Sequence, residues 1–177
     1  MTAAYAGGVA SIDDPQRIRI GVRISWRPGD IGGWLTDAAA YDAAGADALW
    51  LDLDGHPGLD PLVLASALAA VTYRSLLVAP AVAAEDAGRR RERDRAVETI
   101  MQLSRGRLRV AGTFEDENRR WVDTLLPDSR AAWSATLAEA AEAGHYGLVV
   151  AADPRLIDLL RNPGDPGQRR DLELSVG

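Results

Sequence analysis

The chain of 177 residues contains no cysteine. Disulfides, thiolate nucleophiles and cysteine-ligated zinc or iron–sulfur centres are therefore excluded. Lysine is missing too, so all 20 basic residues are arginine. That removes a Schiff-base lysine, a pyridoxal anchor and the lysine of a phosphate-binding P-loop. Histidine occurs only at His56 and His145, too few for a multi-histidine centre within one chain, and no metal site is expected. The longest apolar runs, 62–71 and 76–84, fall short of a bilayer span, and residues 1–16 lack the basic start and apolar stretch of a signal peptide. The expectation is a cytoplasmic protein with no membrane association. A net charge of −6 argues against a duplex nucleic-acid partner, which needs a clustered positive surface.

What is present reads as one globular domain: 47% hydrophobic and 26% charged residues, in a length that buries a core without covalent staples. Residues 1–16 read as a disordered arm, 17–163 as a single α/β domain and 164–177 as a flexible tail rich in Pro and Gly. From Arg17 to Ile24 apolar side chains alternate strictly with Arg and Gly, which predicts a strand. A helix is predicted over 33–44, stopped by Gly45, then a strand over 47–53. Asp60-Pro61 is a helix start, with Asp at the cap and Pro in the first turn. A strand follows at 75–79, a charged helix at 89–103, a strand at 107–110 and a short one near 121. Ser129 opens a helix to about 143, a strand covers 146–151, and Asp153-Pro154 opens the last helix. Strands alternating with helices imply a parallel sheet with right-handed crossovers.

Three stretches, in order, carry a family resemblance: Ala38-Ala39-Ala40-Tyr41-Asp42-Ala43-Ala44-Gly45-Ala46-Asp47-Ala48-Leu49-Trp50-Leu51, then Asp60-Pro61-Leu62 through Val71-Thr72 with Val78-Ala79-Pro80, then Gln102-Leu103-Ser104-Arg105-Gly106-Arg107-Leu108. They resemble the luciferase-like flavin-dependent oxidoreductases, the bacterial luciferase superfamily of TIM barrels. The segment from Leu126-Pro127-Asp128-Ser129 to Arg161-Asn162-Pro163 is similar to the end of such a chain. A complete barrel takes about 250 residues. The resemblance therefore implies an α/β fold that is a shortened or incomplete TIM-type (β/α) barrel of about five or six mainly parallel strands. The missing middle is the region that in relatives supplies much of the cofactor phosphate site. No G-x-G-x-x-G or Walker-type loop replaces it.

The resemblance implies a reduced flavin (FMN) or a deazaflavin coenzyme as cofactor, with the site at the strand C-termini. Asp54 and His56, just after the second strand, are the catalytic candidates: His56 as an acid/base or donor, or else as an ordinary loop histidine. The cofactor candidates are Trp26, Arg19, Arg23, Ala79, Pro80 and Thr113. Arg19 and Arg23 share a strand face with Arg17, and Arg107 and Arg109 repeat the pattern. That face is either laced by Arg–Asp pairs or brings Arg19, Arg23 and Arg109 together on an anionic ligand. Ala79-Pro80 falls where relatives bend the backbone against the flavin, with a cis or an ordinary trans peptide. The run 89–95 is the basic cluster, either a solvated helix face or an anion site.

Two functions follow. One is a luciferase-like oxidoreductase or monooxygenase acting on a small molecule. The other is a non-catalytic shortened paralogue, a partner or regulatory subunit that binds no cofactor. A shortened sheet leaves open edges and an uncovered apolar surface, so association is expected, as a homodimer or with a longer relative.

Overall fold

The computed structural model describes residues 17–53, 56, 58–81, 87–111 and 120–163. Along the chain run β1 (Arg19–Ser25), α1 (Ile31–Ala44), β2 (Ala48–Asp52), α2 (Pro61–Val71), β3 (Leu76–Ala79), α3 (Ala87–Leu103), β4 (Leu108–Val110), β5 (Trp121–Asp123), α4 (Arg130–Glu142), β6 (Gly147–Ala151) and α5 (Pro154–Arg161). The expected arm 1–16 and tail from 164 onward lie outside the described residues. Helix starts follow the capping chemistry. Asp30, Asp60, Ser129 and Asp153 each accept a backbone N–H in the first turn of α1, α2, α4 and α5, and Pro61 and Pro154 fill a position with no N–H to satisfy. Helix α1 ends at Gly45, whose φ of 101° lies in the left-handed region that glycine adopts without strain.

The six strands form one sheet in the order β4-β3-β2-β1-β6-β5, every pair parallel. The last strand thus lies beside the first. Each helix-linked step (β1 to β2, β2 to β3, β3 to β4, β5 to β6) moves one place in the same sense across the sheet. Right-handed crossovers in one sense put every helix on one face. A doubly wound sheet reverses at a switch point and carries helices on both faces; this order contains no reversal. The sheet ends at β4 on one side and at β5 on the other.

The core confirms the one-sided layering. Ile20, Val22 and Ile24 of β1, Leu49 and Leu51 of β2, Leu77 of β3 and Val150 of β6 pack with Trp34, Leu68, Ile100, Trp133 and Leu156 from the five helices. The opposite face holds a second, smaller cluster built from strands and strand ends: Ala48, Val78, Trp121 and Val149, with Trp50 and Tyr146 against them. The alternation read in residues 18–24 is the physical origin of this split, since successive strand side chains point to opposite faces. No helix among the described residues is long and apolar enough to cross a membrane.

Candidate functional site

The helix-free face is where strand side chains are available to a ligand. Its centre is filled by aromatic rings. The Trp50 and Trp121 rings meet edge to face at 5.9 Å, Trp121 and Tyr146 at 5.5 Å, and the Arg19 guanidinium sits 4.8 Å over the Tyr146 ring. Glycine makes the room. A Cβ on Gly21 would lie 2.8 Å from Trp50 Nε1, and one on Gly147 would lie 2.6 Å from the Trp121 ring. The signal in the sequence was glycine inside two strands, which marks close approach of other atoms to the backbone. The indole N–H groups of Trp50 and Trp121 are buried and find no acceptor among the described residues.

At the C-terminal ends of β1–β3 the face opens into a cleft of about 460 Å³ lined by Arg23, Trp50, Leu51, Asp52, Leu53 and Pro80. This volume falls in the range of small-molecule sites. Ser25 Oγ donates to the Asp52 carboxylate at 2.6 Å on the same face. The cleft sets the Arg23 guanidinium and the Asp52 carboxylate among the side chains of Trp50, Leu51, Leu53 and Pro80.

Of the residues expected at the site, Arg23 and Pro80 line this cleft. The peptide before Pro80 is trans, as are all those described. Arg19 lies on the same face but four residues earlier, about 13 Å along the strand. Arg109 aligns with Arg23 through Trp50 and Val78, three strands and about 14 Å away. The three arginines do not converge: Arg19 covers Tyr146, Arg23 pairs with Asp123, and Arg109 donates to the carbonyls of Gly106 and Leu108. Ala79 points the other way, into the helix-side core. Trp26 also turns to that side and packs edge to face on Trp34 at 5.3 Å, because its backbone is held by the Asp52 carbonyl one residue past β1. His56 is half-buried after β2, where its backbone N–H donates to the Leu53 carbonyl. Asp54 and Thr113 lie outside the described residues.

Arg17 and Arg107 are not on this face. Arg17 pairs with Asp47 at 3.2 Å. Arg107, just before β4, donates to Thr72 Oγ1, the Thr72 carbonyl, the Ser75 carbonyl and the Ser104 carbonyl. It belongs to a polar network at the opposite end of the strands. There the buried Asp42 carboxylate accepts from the N–H groups of Tyr73, Arg74 and Ser75 and from the Ser75 hydroxyl. Burial pushes the Asp42 carboxyl up, but the hydrogen bonds from Ser75, Tyr73 and Arg74 outweigh it and hold the group below the ordinary carboxylate range.

For the flavin implied by the resemblance, the cleft offers the Trp50 and Pro80 side chains to a flat ring, beside Arg23 and Asp52. Helix N-termini are the usual anion seats at this end of a sheet. Those of α1, α2, α4 and α5 are occupied by the chain's own Asp30, Asp60, Ser129 and Asp153 side chains, whereas α3 begins at the same end with the exposed Arg89, Arg90 and Arg91. Among the described residues no cluster of His, Asp or Glu is placed to hold a metal ion. No protein-family model matches the chain, and a search of curated proteins finds no match.

Proposed function

We propose that the chain is a shortened (β/α) barrel of the luciferase-like oxidoreductase class, and that its cleft takes the ring of a flavin or a deazaflavin. The observation that carries this reading is the strand order. Steps in a single sense, with the last strand beside the first and every helix on one face, are the plan of a barrel wall. The cleft sits where barrels keep their chemistry, at the C-terminal ends of the strands. When bound, such a ring supplies hydride and electron transfer. The chain's own part is to hold it: Trp50 and Pro80 as walls, Arg23 as a positive charge at the rim, and Asp52, oriented by Ser25, as an acceptor.

A second reading, a non-catalytic paralogue working as a partner or regulatory subunit, is favoured by one observation: Arg23, the cation of the cleft, already pairs with Asp123. One titration separates the two. Flavin and deazaflavin are added to the purified chain, and to its assembly with a longer relative, while ring fluorescence is followed. Saturable binding at micromolar concentration, weakened about tenfold or more by Arg23→Ala, supports the enzyme class. No binding by either preparation leaves the paralogue. Light scattering on the same samples tests the proposed homodimer, which a monomeric peak at micromolar concentration would refute.

A further inference from the structure

The helix side of the sheet carries a second cavity, at the end opposite the cleft. Its origin is the shortness of α5, which spans eight residues, about 12 Å, against fourteen residues in α1 and thirteen in α4. Helix α5 ends level with the first turn of α4, where Arg130 pairs with Asp158 and donates to the Asn162 carbonyl. Helix α4 runs on past that point and leaves a gap over the start of β1, between itself and the end of α1. The gap is a cavity of about 720 Å³, within the range of small-molecule sites. Its large apolar side chains are Ile18, Ile20, Trp133, Leu137, Leu159 and Leu160. Ile20 and Trp133 make a buried floor, and the other four are half-buried.

Three arginines also line it, Arg17, Arg74 and Arg161. Arg17 pairs with Asp47, whose carboxylate accepts the Ile20 N–H as well. Arg74 and Arg161 are exposed, and their guanidinium groups have no hydrogen bond or ion pair among the described residues. The acidic groups nearby are engaged or turned away. Asp42 accepts from Tyr73, Arg74 and Ser75, and Asp158 pairs with Arg130. On α4, Glu139 falls on the side away from Trp133, Leu137 and Ala141, and Glu142 on the flank, since 3.6 residues make a turn. Helices α1, α4 and α5 end here, and their carbonyls add a partial negative charge that falls off within the last turn. The Gly45, His145 and Asn162 N–H groups already bond some of those carbonyls. What remains is an apolar cavity with two whole positive charges at its mouth.

We infer that this cavity binds a single-chain amphipathic anion, a medium-length alkyl carboxylate, with its chain over Ile20 and Trp133 and its carboxylate at Arg74 and Arg161. A guanidinium holds a carboxylate through two parallel N–H donors. Each methylene withdrawn from water strengthens binding about twofold to fourfold. The site is separate from the flavin cleft, and its test does not depend on that reading.

The probe is dodecanoate, titrated below its micelle concentration into the full chain by isothermal calorimetry. Binding is expected at about 10–100 μM. Decanoate, two methylenes shorter, should bind about fivefold to fifteenfold more weakly. Dodecyltrimethylammonium, with the same chain and the opposite charge, should bind at least about tenfold more weakly. Arg74→Gln with Arg161→Gln should weaken dodecanoate about tenfold and narrow its advantage over the cation. Ala141→Trp, an exposed lining position, fills the cavity and should abolish binding. Circular dichroism shows that the variants are folded. Equal affinity for the two head groups, or dodecanoate binding that Ala141→Trp leaves intact, overturns the inference. So does the absence of binding at up to about 1 mM, the outcome where another part of the chain or a second copy fills the cavity.

Discussion

The aromatic plug on the helix-free face depends on two strand positions having no side chain, and Gly147 is the sharper test. An added Cβ there would sit 2.6 Å from the Trp121 ring and 2.8 Å from the Arg19 carbonyl oxygen across the β1–β6 ladder. The ring can yield only by leaving Tyr146, and the carbonyl is backbone. Overpacking of this kind costs about 1–3 kcal/mol. Restricting the unfolded chain returns about 0.4–1 kcal/mol. Gly147→Ala is therefore expected to lose about 1–2 kcal/mol net, a fall of roughly 2–8 °C in Tm for a chain of this size. Gly21→Ala should cost less, because the nearest atoms are the Trp50 and Trp121 rings and not backbone. Trp121→Leu supplies the control. Combined with Gly147→Ala it removes the ring contact but not the carbonyl contact, so the double-mutant cycle should show a favourable coupling of about 0.5–1 kcal/mol. Urea unfolding followed by circular dichroism reads all four proteins. A Gly147→Ala variant as stable as the parent, or one whose cost is additive with that of Trp121→Leu, refutes the plug.

Other outcomes follow from the polar network and the placement of the tryptophans. Asp42→Ala leaves the Tyr73, Arg74 and Ser75 N–H groups without their acceptor, while the Ser75 hydroxyl keeps the Ala46 carbonyl, and should destabilise by about 3–5 kcal/mol. Because the Asp42 carboxyl titrates lower in the folded than in the unfolded chain, its stabilisation is complete above about pH 4 and disappears as pH falls through the folded value. An acid-unfolding curve of Asp42→Asn should lack that component. Arg107→Lys keeps the charge but cannot reach four acceptors at once, and should cost about 2 kcal/mol in the same urea assay. Trp26→Leu should lose about 1 kcal/mol of edge-to-face packing on Trp34 and leave any flavin affinity unchanged, because that ring faces the helix layer.

Much of the backbone was legible beforehand because its signals are local. Alternation marked β1, and Asp-Pro pairs marked the starts of α2 and α5 within a residue of where they lie. The site was legible only where strand parity carried through. Arg23, inside β1, falls on the cleft where the alternation puts it; Pro80 and Trp26 each sit one residue past a strand, where parity no longer assigns a face, and they end on opposite sides of the sheet. Arg17 and Arg107 likewise sit outside β1 and β4, so the alternation that grouped them with Arg19 and Arg109 did not apply. The Asp42 network had no local signature at all. Its donors are 31, 32 and 33 residues away in the chain, and only the packing of α1 beside the α2–β3 turn brings them together.

The expectation of association has two grounds, open edges and an uncovered apolar surface, and the second face bears on the latter. Trp121, Ala48, Val78 and Val149 are almost wholly buried within the chain itself, with Trp50 and Tyr146 packed against them. Hydrophobic exposure of this face is then a weak force for pairing. The edge that carries no further strand among the described residues is that of β5. Contact through such an edge is directional and selects a strand, not a greasy surface. An associating partner is accordingly expected to add a strand at β5, with amide exchange in 121–123 slowing on assembly while the environment of Trp50 and Trp121 stays the same. Protection confined to the aromatic face would show this account of the edge to be mistaken.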